Sequence, residues 1–254
     1  MIGKTFAVGC LMIVASWTPG QPACAGQRRA LTQRVERIAV EGKSFGEAIR
    51  IVAQAGAGAF VIGFEEAPNT ETSPERLVRL SLDDSTLQDV MAALCAQDRR
   101  YTYSEELPGV LEVRPVREAP VLAEALSLPV PRLVIQTRDW PANLFARAPE
   151  YIPELGAYLA AKAAQQAKAT GRPLAGSPGV TMTTNIPPPL IDFAAEGTTV
   201  RGALDKLAAY TLELARQQGT PNVRLAPSGW HAWFVPDASA PTGLGGYLRW
   251  SSFP

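Results

Sequence analysis

The sequence predicts an α+β fold, and three observations carry that prediction. A strand, a turn, a hydroxyl cap and a helix recur in that order at residues 38–52 (IAVEGKSFGEAIRIV), 78–94 (VRLSLDDSTLQDVMAAL) and 191–207 (IDFAAEGTTVRGALDKL). In each, Ser44, Thr86 or Thr199 stands where a helix N-cap belongs, able to accept from the free amides of the first turn. Behind each cap the apolar residues keep one spacing. Phe45, Ala48, Ile49, Val52 and Ala53 match Leu87, Val90, Met91, Leu94 and Cys95, and match Val200, Ala203, Leu204, Leu207 and Ala208. That is the stripe of a helix lying on a flat layer.

The first 25 residues stand apart from this pattern. Lys4, the apolar run from Thr5 to Trp17, a Pro/Gly break and Ala23-Cys24-Ala25 read as a secretory signal peptide cleaved after Ala25. The run is too short for a membrane span. The residues ahead of Cys10 and Cys24 fit a lipid-attachment site poorly, so a secreted or periplasmic protein is expected, with no integral membrane segment after cleavage. Cleavage removes Lys4 and no acid, leaving 23 basic against 24 acidic residues. No basic excess recruits nucleic acid or an anionic bilayer. Cys95 alone survives processing, which rules out a disulfide within the chain; as the counterpart of Ala53 and Ala208 it reads as a small buried helix residue.

In chain order, residues 26–34 are a polar lead-in, and a first strand follows from Val35 to Val40. Glu41-Gly42-Lys43 turns the chain, and Ser44 with Glu47 makes a capping box for a helix from Phe45 to about Ala55. Gly56 and Gly58 end it, and residues 59–64 are an apolar run of strand length. Residues 65–75, with two prolines, read as a surface loop. Leu77 to Leu82 alternates as a strand, Asp83-Asp84-Ser85 turns, and a second helix runs from Leu87 to about Gln97. Tyr101–Tyr103 and Val110–Val113 close the segment as two strands around Pro108-Gly109. Each helix has one apolar face and each strand group needs a cover, so two β-α-β units forming a small mixed sheet with two helices is the expected solution over residues 35–116.

The order of these elements, the two matched helix starts (Ser44-Phe45-Gly46-Glu47-Ala48-Ile49 and Thr86-Leu87-Gln88-Asp89-Val90-Met91) and the closing hairpin with Tyr101, Tyr103, Leu111 and Val113 resemble the short N-terminal domain of secretins and TonB-dependent receptors. The likeness covers about 80 residues, a small domain's length. It implies a periplasmic, non-catalytic docking module that engages another envelope protein. No run of paired amphipathic strands long enough for an outer-membrane barrel follows it, so neither secretin nor receptor function carries over whole.

Residues 117–189 read as a connector: a proline-punctuated stretch to Pro131, one short strand at Leu133-Val134-Ile135, an irregular stretch from Trp140-Pro141, an Ala-rich helix at about 150–170 that Pro153 allows to begin only in its first turn, and a Pro/Gly-rich linker from Gly171 to Pro189. Residues 190–254 read as a β-α-β-β half-unit with an aromatic tail, the half-copy itself at about 188–236. Its helix runs from Val200 to Gln217, Gly202 replaces the capping glutamate, and residues 222–225 and 230–234 flank a Pro227-Ser228-Gly229 turn. A lone helix on three strands buries too little, so the Ala-rich helix or the first domain must supply its cover.

Chemistry is sparse. His231 is the single histidine, set between Trp230 and Trp233, and reads as an ordinary edge or surface histidine. The acidic pairs Glu65/Glu66, Asp83/Asp84 and Glu105/Glu106 sit at turns or loops, where solvated carboxylates are the default. No phosphate loop, nucleophile elbow or cysteine pair is present, so no catalytic residue, cofactor or metal is assigned. A hydrolase would need a cleft with convergent carboxylates of shifted pKa. Two features can carry binding: a free sheet edge, open to strand addition, and the rings of Trp230, Trp233, Tyr247 and Trp250. The expectation is therefore a non-enzymatic adaptor that binds another envelope protein, the alternative being a peptidoglycan-binding protein that uses the C-terminal tryptophans.

Overall fold

The computed structural model describes residues 29–56, 58–68, 74–170, 187–217, 229–236 and 246–253. The expected signal peptide, Cys10, Cys24, the strand expected at 222–225 and most of the expected Gly171–Pro189 linker lie outside the described residues. The fold is α+β. A single 3-10 turn (Ala30–Thr32) leads into β1 (Arg34–Lys43), α1 (Phe45–Ala55), β2 (Val61–Glu65), β3 (Val78–Thr86), α2 (Leu87–Gln97), β4 (Tyr101–Ser104) and β5 (Val110–Pro115). There follow α3 (Pro120–Ser127), β6 (Pro129–Arg138), α4 (Pro141–Ala146), α5 (Ala148–Tyr151), α6 (Pro153–Thr170), β7 (Leu190–Thr199), α7 (Val200–Gln217), β8 (Gly229–Pro236) and β9 (Gly246–Phe253).

The expected helix starts hold, with their caps. Ser44 accepts from the Glu47 amide while Glu47 returns to the Ser44 amide, and Thr86 and Asp89 do the same. Thr199 accepts from the Gly202 amide at 3.2 Å, and Gly202 has no side chain to reach back. All three caps share a feature of the backbone two residues earlier. Gly42, Asp84 and Gly197 have φ of +56°, +43° and +57°. A left-handed residue there kinks the end of the strand and turns the chain down into the helix.

The strands of the first unit divide. β1 and β3 form an antiparallel ribbon by themselves, whose register slips between Val40 and Lys43. Near that slip the Gln97 side chain, from the end of α2, accepts from the Arg79 amide and donates to its carbonyl. β2, β4 and β5 join β8 and β9 in a five-stranded sheet of order β4-β5-β2-β8-β9. β2 lies at its centre, parallel to both neighbours.

Successive β2 side chains face opposite ways, and a different core sits on each side. Ile62 and Phe64, with Leu111 and Val113 of β5, pack with α1, α2 and the β1–β3 ribbon. Val61 and Val110 point to the other face and pack with α3, α4, α7 and the ribbon formed by β6 and β7. The order of layers is ribbon, helices, sheet, helices, ribbon. Phe45, Leu87 and Val200, the first residue of each stripe, are fully buried.

The second half departs from expectation. Pro129–Arg138 is a ten-residue strand, not a three-residue one, and it buries Val130, Leu133 and Ile135 at the spacing at which β1 buries Val35, Ile38 and Val40. The stretch read as an irregular connector contains α3 and α4, and the Ala-rich helix begins at Pro153. The C-terminal unit is thus more than a β-α-β-β half. β6, α4, β7, α7, β8 and β9 follow the order of β1, α1, β3, α2, β4 and β5, and only a counterpart of β2 is missing between α4 and β7 among the described residues. β8 takes its antiparallel partner from the tail, pairing Trp230 with Ser252 and Trp233 with Arg249. It also lies along β2 of the first unit, so the cover for this half comes from the first domain's own sheet.

Candidate functional site

Where α7 crosses the central sheet, the sequence places charge in a layer that is otherwise apolar. Glu65 ends β2 on the α7 side, one alternation beyond Gly63, and is fully buried. Arg201, in the first turn of α7, meets it with a two-pronged bond, Nε to Oε1 at 2.7 Å and Nη2 to Oε2 at 3.1 Å, and extends Nη2 to Glu118 at 3.2 Å. This geometry suits a guanidinium, whose planar fork matches a carboxylate edge. On β5, Glu112 is buried beside Arg114, Nε to Oε2 3.3 Å, and Arg114 also reaches Glu106 and Ser104. Asp205, one turn further along α7, is buried and accepts from the Trp230 indole Nε1 at 2.8 Å.

These groups line one side of a cavity of about 660 Å³ that runs between β5, the start of β6 and the first turns of α7. Pro129, Val130 and Pro131 give it an apolar wall, and Glu106, Glu112, Arg114, Arg201 and Asp205 a charged one. Burial pushes the Asp205 carboxyl well up from its ordinary range, and the neighbouring Glu112 pushes it further. Burial also raises Glu112, against the pull of Arg114, and raises Glu65, against the fork of Arg201. Convergent carboxylates of shifted pKa are therefore present. Asp205 and Glu112 are only 4 % and 3 % exposed and are engaged by Trp230 and Arg114, within the seam between the two units. Among the described residues no group of three or more His, Cys, Asp or Glu side chains is placed to hold a metal ion.

The residues singled out from the sequence are scattered. Trp230 is 1 % exposed, and its indole lies so close over Gly63 that a Cβ there would sit 2.8 Å from the ring. It is a core residue of this seam and offers no face for a sugar to stack on, which corrects its place among the candidate binding rings. The side chains of Trp233, Tyr247 and Trp250 lie outside the described residues. His231 is not at an edge: β8 is flanked by β2 and β9, and the imidazole stacks on Phe64 at 4.8 Å and meets Glu66 at 3.1 Å. Of the acidic pairs, Glu65 departs most from a solvated carboxylate. Asp84 pairs with Arg34 at the surface, and Glu105 accepts from the amides of Ala30, Leu31 and Gly109, pinning the lead-in turn to the β4–β5 turn. Cys95 is half-buried and its thiol is pushed up to about 11, mainly by burial.

The chain matches no family model, no curated protein and no solved structure. Among the described residues no helix is long and apolar enough to cross a membrane.

Proposed function

We propose that the protein is a periplasmic or secreted, non-enzymatic docking module of the bacterial cell envelope, similar in kind to the short N-terminal domain of secretins and TonB-dependent receptors, and that it engages another envelope protein by strand addition. The element order over 34–115 supports this reading, and β1 is the observation that carries it. β1 has ten residues, no proline and, among the described residues, no strand other than β3 beside it. The Leu87 amide donates to the Gln33 carbonyl, which turns Val35 to β3. Gln97 takes both main-chain groups of Arg79 from outside the ribbon, so Leu80 and Leu82 face β1 and their partners Val40 and Ile38, buried on the same face as Val35, also turn their amides to β3. Glu36, Arg37 and Ala39 turn theirs outward, groups that an extended segment can pair with. Of the other ribbon edges, β3 spends the main-chain groups of Arg79 on Gln97, β6 loses two amides to Pro129 and Pro131, and β7 spends the Asp192 amide on the Tyr210 hydroxyl; β4 has only four residues.

Glu36→Pro removes one outward amide and no ladder bond. Crosslinking of the full chain in the envelope is expected to capture a partner saturably, and Glu36→Pro to lose it with an unchanged circular dichroism spectrum. Capture by the folded variant at the native level, or no saturable capture by the native chain, overturns the reading.

A further inference from the structure

The seam between the two units holds more negative charge than its cations neutralise. Glu65 of β2, Glu112 and Arg114 of β5, Glu106 of the β4–β5 turn, Glu118 beyond β5, Arg201 of α7 and the Trp230 indole of β8 surround Asp205. The neighbouring stretches of β6 and β7 add Pro129, Val130, Pro131, Thr198 and Thr199, which carry no charge. His231, the titratable group of β8, stacks on Phe64 across the sheet and meets Glu66 there. Both guanidiniums are already engaged, Arg201 by Glu65 and Glu118, Arg114 by Glu112 and Glu106. Among the described residues no ion pair reaches Asp205, so an ionised Asp205 would face Glu112 and Glu65 while buried itself.

We propose that this seam is a proton-controlled joint, closed while Asp205 holds a proton and loosened when Asp205 and Glu112 are both ionised. The backbone offers little resistance to loosening: the β2–β8 ladder is three pairs long, Gly63, Phe64 and Glu65 against Trp230, His231 and Ala232. The cavity beside Asp205 gives water a route in. The sign follows from linkage. Burial makes the folded chain hold the Asp205 and Glu112 protons to higher pH than the unfolded chain does. Their stabilising contribution is complete below the unfolded carboxylate value, about 4, and is lost as pH rises through the folded values. The joint is therefore tightest below about pH 4 and weakens as pH rises, opposite to a joint held by an exposed salt bridge. The inference does not depend on the docking reading.

Amide hydrogen exchange of the full chain at a series of pH values, corrected for the intrinsic pH dependence of exchange, tests it. Protection of residues 63–66 and 229–232, relative to the β4–β5 amides, is expected to fall by about tenfold or more as pH is raised from about 4. Asp205→Asn keeps an acceptor for the Trp230 indole and cannot ionise, so the relative protection should become flat with pH. Glu112→Gln should flatten it in part and serves if Asp205→Asn does not fold. Constant relative protection in the native chain, or variants that follow the native pH profile, overturns the proposal.

Discussion

Gly63 sets how closely β8 can lie against β2, because its missing side chain is the space in which the Trp230 indole sits. Gly63→Ala puts a Cβ 2.8 Å from that ring, so the chain must shift one strand or turn the indole off its Asp205 bond. Overpacking of this kind costs about 1–3 kcal/mol, and a lowered urea midpoint with an unchanged slope is the expected reading. Arg201 carries a different burden. Arg201→Met leaves the Glu65 carboxylate buried without its fork, a loss of about 3–5 kcal/mol, and adding Glu65→Leu should recover most of it. Cys95, with its thiol at about 11, should react with maleimide at pH 7 at least about tenfold more slowly than an exposed cysteine, and catch up only on unfolding.

The recurring element is a strand that ends in a left-handed residue, one further residue, a hydroxyl cap and a helix. Its glycine positions follow from that geometry. Gly42→Ala and Gly197→Ala have open space for the new methyl, so the whole penalty is the left-handed backbone, about 1–2 kcal/mol each. Asp84 is the one non-glycine residue with positive φ among the described residues, and Asp84→Gly should raise the melting temperature despite losing the exposed Arg34 pair. Measuring the three side by side checks whether one backbone turn is used three times. The helices built on this turn were legible: α1, α2 and α7 begin at Phe45, Leu87 and Val200, directly after the predicted caps. β6 was hidden because Pro129 and Pro131 resemble connector punctuation, although Val130, Leu133 and Ile135 repeat the spacing of Val35, Ile38 and Val40 and were the available clue.

At the scale of the whole chain, β2 joins the two units, since its two faces belong to different cores and its two edges to β5 and β8. Neither unit can lose β2 without exposing apolar surface of the other. Urea unfolding is therefore expected as a single transition, coincident by far-UV circular dichroism and tryptophan fluorescence; two separated transitions would show that the shared strand does not couple the cores. Among the described residues the second unit has no strand corresponding to β2, and its β8 pairs with the first unit's copy, which is why the two are expected to melt together.

The sequence by itself determined the class of fold, the three capped helices and their buried stripes, because these depend on neighbours within about a helical turn and on a period that composition cannot disguise. Tertiary structure alone decided that Glu65 would be buried against Arg201, 136 residues later, that Trp230 would be core, and that two units would share β2. Which residues meet across a sheet is set by register and layer order, and nothing local to Glu65 or Trp230 encodes the partner each would find.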